Sequence, residues 1–219
     1  MFRDRRSAGE TLAELLKPYT KENVTILAIP NGGVPVAFPI FKNFRKRNPN
    51  VEFQLLIVRK IQIPYNTEAG FGAITLDGTI ILNEMLVARI GLNEEQIQRQ
   101  ASKTLKQIEE RLKRYGIESQ EFDLKNKVAI LVDDGLASGF TMLAAVNSIK
   151  KFDPEKIVVA VPTAPRSSVE RVAPLVDDLI CPNIRDTLWF AVADAYKNWY
   201  DLEIDEVRGI LEEVRSMDI

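Results

Sequence analysis

Short apolar runs rich in β-branched residues recur along this chain, and each is followed by a stretch with helical spacing. The five runs cover residues 24–29, 53–58, 128–132, 157–161 and 179–181. Strands buried on both faces of a parallel sheet are apolar without interruption, whereas half-exposed strands alternate polar and apolar positions. The runs therefore predict an α/β fold built on a parallel sheet.

The composition narrows the class of protein. The 219 residues are 46% apolar and 27% charged, which is typical of a folded domain with one sizeable core. There are 29 basic and 31 acidic side chains, so the net charge is −2, and this balance argues against general nucleic-acid binding. Histidine is missing from the sequence, which excludes hydrolases that use a histidine base and zinc sites with histidine ligands.

The cysteine count and the first residues of the chain bear on the cellular compartment in which the protein is expected. A single cysteine, Cys181, excludes an internal disulfide and a thiolate metal cluster, and we expect it to be a small buried side chain. The first residues are charged, and no apolar run approaches the roughly 18 residues of a membrane span. We therefore expect a cytoplasmic protein with both termini intact and no membrane contact.

An insertion separates the second predicted strand from the third. Asp77-Gly78, flanked by residues 71–76 and 79–83, is a strong hairpin signal. A capping box over 93–96 then begins a long amphipathic helix that Gly116 ends. The apolar face of this helix comprises Ile97, Ala101, Leu105, Ile108 and Leu112.

Helices are also predicted at both ends of the chain. Residues 4–17 form an amphipathic pattern that Pro18 ends. Its inward positions are Ala8, Leu12, Leu15 and Leu16. Past residue 182 an aromatic and polar segment leads to a charged helix near 205–215. We expect a single domain with an α/β core over 1–182 and a small C-terminal hood over 183–219.

The segment with the most chemistry is VAILVDDGLASGFT, residues 128–141. An apolar strand ends in Asp133 and Asp134, and a loop of small residues leads to a helix near Thr141. Parallel sheets bind ligands at such strand ends, and a helix N-terminus offers amide donors to an anion. This pattern predicts a phosphate monoester on the loop and sugar hydroxyls on the two aspartates. The predicted phosphate-binding residues are Leu136, Ala137, Ser138, Gly139 and Thr141. The alternative is an ordinary strand end, turn and helix cap.

Other phosphate and nucleophile motifs do not match. The chain has no G-x-x-x-x-G-K-[ST], and Gly70-Phe71-Gly72 lacks the third glycine of a dinucleotide fingerprint. Ser138 is misplaced for a nucleophile elbow.

Residues 128–141 resemble the phosphoribosyl-pyrophosphate (PRPP) motif of type I phosphoribosyltransferases over its whole length. The stretches FRDRRSAG, PNGGVPVA, VRKIQIPYNTEAGFGAI and WYDLEIDEV resemble one branch of that family whose substrates are uncharacterised. The resemblance implies a parallel-sheet core with an inserted hairpin and a variable hood. It also implies a reaction in which a nitrogen nucleophile displaces pyrophosphate from C1 of Mg²⁺-bound PRPP.

The resemblance places a pyrophosphate loop at Asn31, Gly32 and Gly33, whose amides can form an anion-binding nest. A basic residue often stands in the family where this chain has Asn31, and the peptide from Pro30 to Asn31 is expected to be cis. The alternative is a simple tight turn.

Arg59 and Lys60 are predicted to end the second strand and to act catalytically as a pyrophosphate clamp, as similar pairs do in family members. Neighbouring strand residues point in opposite directions, so one side chain is expected to face the ligand. Residues 62–70 match the family's mobile cover or, alternatively, a rigid connection. The alternative is that Arg59 and Lys60 are ordinary surface residues without a role in ligand binding.

The acceptor pocket is assigned to aromatic residues of the hood and to Arg166 after the fourth strand. Trp189 and Phe190, with Trp199 and Tyr200, can stack on a planar base or form the core of a small hood. Ala137 stands where relatives that act on 6-oxopurines often carry an aspartate, so the sequence favours other acceptors. Glu68 is the nearest substitute for a general base.

These features predict a PRPP-dependent phosphoribosyltransferase that acts on a nitrogenous base or related small-molecule acceptor. Mg²⁺ is expected to be held mainly by PRPP, with Asp133 and Asp134 as further ligands. A non-catalytic PRPP or nucleotide sensor and a phosphosugar hydrolase are the alternatives. We also expect a homodimer that meets near the pyrophosphate site, because the inserted hairpin and helix leave apolar faces for a partner to bury. A partner cation would then compensate for Asn31.

Overall fold

The computed structural model describes residues 1–117, 121–187 and 189–217, including all their side chains except those of residues 67 and 68. The helices in these residues are α1 (Arg5–Leu15), α2 (Gly33–Arg45), α3 (Glu84–Ile90), α4 (Glu94–Tyr115), α5 (Phe140–Lys150), α6 (Arg166–Val172) and α7 (Ile204–Ser216). The strands are β1 (Val24–Ala28), β2 (Glu52–Leu55), β3 (Val58–Ile63), β4 (Asn66–Thr75), β5 (Ile80–Leu82), β6 (Val128–Val132), β7 (Lys156–Ala160), β8 (Thr163–Pro165), β9 (Asp178–Ile180) and β10 (Asn183–Arg185).

The centre of the fold is a five-stranded parallel sheet in the order β2-β1-β6-β7-β9. Every residue of β1 and β6 is buried, because helices cover both faces of the sheet. Burial on both faces explains why these strands are apolar without alternation. The predicted α/β fold with a parallel sheet is confirmed.

Two apolar cores lie on the two faces of the sheet. Val24, Ile26 and Ala28 point into a core that also contains residues of α1, α2, α4 and α7. Leu27 points the opposite way, into a core shared with α5. Alternate residues of one strand therefore feed different cores, and the loops after the strands emerge together at one edge.

The second apolar run does not form the single strand that the sequence predicts. It divides into β2, which joins the parallel sheet, and β3, which pairs antiparallel with β4 in a separate sheet ordered β3-β4-β5. Leu56 and Ile57 are buried although they connect the two strands, so apolarity alone does not mark the end of β2. Consequently Arg59 and Lys60 lie inside β3, and the prediction that they end a core strand is wrong.

The predicted loop over 62–70 is mostly the hairpin between β3 and β4, since Ile63 pairs with Asn66. The hairpin predicted at Asp77-Gly78 is confirmed between β4 and β5, with Gly78 at φ +80°. Asp77 fastens this hairpin to α5 by accepting hydrogen bonds from Lys151 Nζ at 2.6 Å and Ser148 Oγ at 3.1 Å.

The long inserted helix is confirmed as α4, with a capping box between Asn93 and Gln96 and Gly116 in the left-handed conformation at its end. Its buried residues are Ile97, Ala101, Thr104, Ile108, Leu112 and Tyr115. They pack against β3, β4 and α7 of the same chain. The apolar face of α4 is therefore covered within one chain, so this helix does not supply the apolar surface that the dimer prediction assigned to it. The homodimer itself stays a prediction.

The two ends of the chain meet beside the parallel sheet. α1 packs on α2, and Leu15, predicted to point inward, is exposed because Leu16 takes the core position. Phe2 forms a bridge with Tyr196, and α7 packs on α2 and α4. Across the described ranges, no helix combines the length and the apolarity needed to span a membrane.

Candidate active site

The loop after β6 begins α5 without a side-chain cap from any described residue. Its last residue, Gly139, has φ +82°, a conformation that favours glycine. Two side chains of α6 hold the loop from behind: Ser168 Oγ donates to the Ala137 carbonyl at 2.6 Å, and the Arg171 guanidinium donates to the Ser138 carbonyl. The backbone amides in the first turn of α5 therefore have no capping side chain among the described residues and can donate hydrogen bonds to an anion.

Ser168 and Arg171 were not predicted as site residues, whereas Arg166 in the same segment was. Arg166 instead forms an exposed ion pair with Asp186, with a 3.0 Å contact from Nη2. The signal that was available is the position of the segment directly after β8, at the ligand edge of the sheet.

Asp133 and Asp134 follow β6 and are partly buried. Asp133 Oδ1 accepts a hydrogen bond from the amide of Asp134 at 2.8 Å. Burial and the neighbouring charge of Asp134 raise the pKa of Asp133 well above its ordinary value. A cation or a hydroxyl donor that approaches Asp133 would therefore stabilise its ionised carboxylate.

Asp134 has a partner that the sequence did not indicate. Arg5 Nε, in the first turn of α1, donates to Asp134 Oδ2 at 2.8 Å, and the two side chains are 8% and 15% exposed. Burial raises the pKa of Asp134, while the Arg5 charge and hydrogen bond act in the opposite direction. Arg5 lies in the family-like stretch FRDRRSAG, but 129 positions separate it from Asp134.

Arg5 also contacts the segment before α7. Its Nη1 donates to the carbonyl of Tyr200 at 2.8 Å, and its guanidinium lies 3.9 Å from the ring centroid of Trp199. Tyr196 donates its hydroxyl to the Asp134 carbonyl at 2.6 Å. In this structure Trp199 therefore stacks on an arginine.

The predicted pyrophosphate loop lies beside these groups. The Pro30–Asn31 peptide is cis, as predicted. A Cβ on Gly32 would lie 1.9 Å from Asp134 Oδ2, and one on Gly33 would lie 2.4 Å from the Val132 carbonyl oxygen. Both positions need glycine because the two loops approach each other so closely.

The side chain of Asn31 is engaged on both sides. Its Nδ2 donates to the Leu202 carbonyl at 2.7 Å, and its Oδ1 accepts from the Tyr115 hydroxyl at the end of α4. The loop is thus connected to the inserted helix and to the segment before α7.

Arg59 and Lys60 lie on opposite faces of β3. Lys60 is exposed and its side chain covers Gly70. Arg59 is half-buried, and its Nε is buried without a hydrogen-bond partner among the described residues. Burial and the nearby charge of Arg111 lower the pKa of Arg59. Arg111, which was not predicted as a site residue, lines a cavity of about 340 Å³ together with Gly32, Asn31 and Leu202.

The aromatic residues assigned to an acceptor pocket are dispersed. Trp189 is 88% exposed, and Phe190 lies beside Arg185 with 6.0 Å between ring centroid and guanidinium. A Cβ on Gly135 would lie 2.7 Å from Val192 and 3.0 Å from Thr163, so both side chains pack on the loop. The side chain of Glu68 is outside the described residues.

Comparisons with known proteins agree with this geometry. The family model of the phosphoribosyl transferase domain matches residues 5–198. Relatives from two strains of Mycobacterium tuberculosis, CDC 1551 and H37Rv, bear the name phosphoribosyl transferase on a provisional basis. Each is 34% identical over 212 residues, which is 97% of this chain and 46% of the relative. The chain thus spans about half the length of these curated relatives.

Two solved structures share the fold. TT1426 from Thermus thermophilus is 31% identical, with a TM-score of 0.75 over 97% of this chain and 98% of that one. AQ2163 from Aquifex aeolicus is 13% identical, with a TM-score of 0.50 over 82% of this chain and 74% of that one, and it supports the fold alone. With the domain match over residues 5–198 and these relatives, the chain belongs to the phosphoribosyl transferase domain family.

Proposed function

We propose that this protein transfers the 5-phosphoribosyl group from Mg²⁺-bound PRPP to a nitrogenous base or related acceptor and releases pyrophosphate. The observation that carries the proposal is the meeting of two loops at one edge of the sheet. One loop contains Asp133, Asp134 and the uncapped start of α5, and the other contains Gly32 and Gly33.

Each part of PRPP has a complementary group. The 5′-phosphate takes the amides of residues 136–141, with Ser138 and Thr141 as hydroxyl donors. The ribose hydroxyls donate to Asp133 and Asp134. The pyrophosphate lies against residues 31–33, near Arg59. In the reaction the C1–O bond breaks with its electron pair on the departing pyrophosphate, and the acceptor nitrogen bonds to C1 and then loses its proton.

The carboxylate oxygens of Asp133 and Asp134 at this edge of the sheet fit Mg²⁺. This ion prefers oxygen ligands and is usually bound by one or two carboxylates together with substrate phosphates. No group of three or more acidic, cysteine or histidine side chains that could hold a metal occurs in the described part of the chain. PRPP would therefore supply most ligands, with Asp133 and Asp134 beside them. When bound, Mg²⁺ neutralises charge on the leaving pyrophosphate.

The hood, residues 183–219 in this proposal, forms the acceptor side. Val192 packs on Gly135 next to the ribose position, and Trp189 and Phe190 are outer residues of the hood. Arg166 lies outside the hood but pairs with Asp186, which belongs to it. The proposal also includes a homodimer and a cytoplasmic location. Burial raises the pKa of the half-buried Cys181 thiol to about 11, and a free thiol is compatible with a reducing compartment.

A non-catalytic PRPP or nucleotide sensor is the second candidate. The observation that favours it is Asn31, a neutral residue where the pyrophosphate loop often carries a cation. Both candidates require ligand binding at residues 136–141, but only the enzyme requires turnover.

The test is pyrophosphate release from Mg²⁺-PRPP in the presence of a panel of purine, pyrimidine and amine acceptors. We expect release that depends on one acceptor class. Binding of PRPP without release by any acceptor would support the sensor, and release without an acceptor would indicate a hydrolase. Absence of PRPP binding would contradict both proposals.

A further inference from the structure

Arg111 lines a cavity beside the pyrophosphate loop, and Arg59 on β3 is close enough to interact electrostatically with Arg111. None of the ion pairs formed by the described residues involves Arg59 or Arg111. The buried Nε of Arg59 has no hydrogen-bond acceptor in the same residues. Buried polar groups are usually satisfied, so an orphaned donor indicates a missing acceptor.

The two positive charges also oppose each other. Burial is the main cause of the lowered pKa of Arg59, and the like charge of Arg111 lowers it further, so the environment disfavours the charged form of Arg59. An anion between or beside the guanidinium groups would reverse this cost, because each would gain a charged hydrogen bond.

The cavity that Arg111 lines has room for such an anion. It measures about 340 Å³ and is lined by Arg111, Gly32, Asn31, Leu202, Arg5 and Asp201. The Arg5 charge is already paired with Asp134, and Asp201 is exposed and forms no ion pair with a described residue. Arg111 is thus the cation available on this wall of the cavity.

The inserted helix fixes where Arg111 stands. Tyr115 is one helical turn further along α4 and is almost fully buried, and its hydroxyl donates to Asn31 Oδ1 in the pyrophosphate loop. Residues four apart lie on the same helix face. The Tyr115–Asn31 hydrogen bond therefore holds the face of α4 that carries Arg111 against the loop.

We infer that Arg111 and Arg59 bind the pyrophosphate group of the ribosyl donor, so that the inserted helix supplies, within one chain, the positive charge that Asn31 lacks. This inference rests on the proposed function. It names Arg111 as a further substrate-binding residue and Tyr115 as a positioning residue.

The experiment is calorimetric titration of the full chain with inorganic pyrophosphate and Mg²⁺, and separately with ribose 5-phosphate. Loss of a charged hydrogen bond predicts that Arg111→Gln weakens pyrophosphate binding about 10- to 100-fold. Arg111→Lys keeps the charge and should retain part of the affinity. Lys113→Gln is the matched control, because that residue is exposed and lies roughly 200° around the helix, and it should bind like wild type.

Ribose 5-phosphate separates this inference from the proposed function. It should bind wild type and Arg111→Gln equally, which also shows that the variant is folded. Tyr115→Phe should lower pyrophosphate affinity a few-fold and leave ribose 5-phosphate binding unchanged. Unchanged pyrophosphate binding in Arg111→Gln, or an equal loss for both ligands, would overturn the inference alone. If the wild-type protein binds neither pyrophosphate nor ribose 5-phosphate, the proposed function is overturned as well.

Discussion

Arg5 Nε lies 2.8 Å from Asp134 Oδ2, joining the first helix to the carboxylate pair at the end of β6. The same guanidinium holds the Tyr200 carbonyl and stacks on Trp199. Segments near the two ends of the chain thus meet at the candidate active site, and folding of the N-terminal helix is coupled to the geometry of the proposed ribose site.

Arg5→Met should destabilise the protein, because it leaves Asp134 buried without its partner. Breaking a buried ion pair from one side costs about 3 to 5 kcal/mol, which chemical denaturation would measure. Arg6→Met, on an exposed neighbour, should change stability by less than about 0.5 kcal/mol. Adding Asp134→Asn to Arg5→Met should recover part of the loss. Equal stability of the Arg5 and Arg6 variants would contradict this account of Asp134.

Asp133→Asn should stabilise the free protein and impair PRPP binding. The pKa of Asp133 is raised in the folded state by burial and by Asp134, so the ionised carboxylate costs stability at pH values above that pKa. Asparagine removes the cost and keeps an oxygen for the amide of Asp134. The weakened PRPP affinity should correspond to about 1.5 to 3 kcal/mol for a lost charged hydrogen bond.

The pH dependence checks the sign of this effect. Below the unfolded pKa of about 3.9 the aspartate is neutral in both states, so the two proteins should differ least there. The advantage of Asp133→Asn should grow as pH rises through the folded pKa and then level off. Melting temperatures across this range measure it, and a variant that is less stable at neutral pH would refute the prediction.

Asp77→Asn should loosen the hairpin from α5. Burial alone would raise the pKa of Asp77, but hydrogen bonds from Lys151, Thr75, Thr79 and Ser148 outweigh it and hold the pKa well below its ordinary value. Its stabilisation is therefore present above the unfolded pKa and is lost as pH falls through the folded one. We expect a loss of about 1 to 3 kcal/mol at neutral pH.

The matched control for Asp77 is Asp123→Asn. Asp123 has a side chain that is 84% exposed and pairs with Lys127 at 3.6 Å on the surface. Urea denaturation at neutral and acidic pH would compare the two variants. A loss at Asp77 that does not shrink with acidification would show that its charge is not the stabilising feature.

Gly32→Ala should damage the site although the change is small. The new methyl group would lie 1.9 Å from Asp134 Oδ2, and Arg5 holds that carboxylate in place. We expect an overpacking cost of about 1 to 3 kcal/mol and weaker PRPP binding. Gly209→Ala in α7, where a Cβ meets nothing within 4 Å, should be neutral or stabilising. Normal PRPP affinity in Gly32→Ala would show that the two loops can separate without consequence.

The contiguous parts of the site could be predicted from the sequence, whereas the parts assembled by folding could not. Asp133, Asp134 and the loop to Thr141 share one segment, so strand, loop and helix signals place them together. Arg5 reaches the same site from 129 positions away, and no local spacing encodes that contact.

The predicted second strand was wrong at residues that are buried but do not continue the hydrogen-bonded strand. Leu56 and Ile57 are as buried as strand residues, yet the chain leaves the parallel sheet there to begin β3. Because Arg59 lies in β3, which packs on α4, its charge interacts with that of Arg111. An apolar run predicts burial, but the partner of each strand is decided by the rest of the fold.

The most direct test of the central claim is a crystal structure of the protein with Mg²⁺ and PRPP. The account predicts the 5′-phosphate on the amides of residues 136–141 and the ribose hydroxyls within about 3.2 Å of Asp133 and Asp134. It also predicts the pyrophosphate against residues 31–33. PRPP bound at another edge of the sheet, with the 136–141 loop empty, would contradict it.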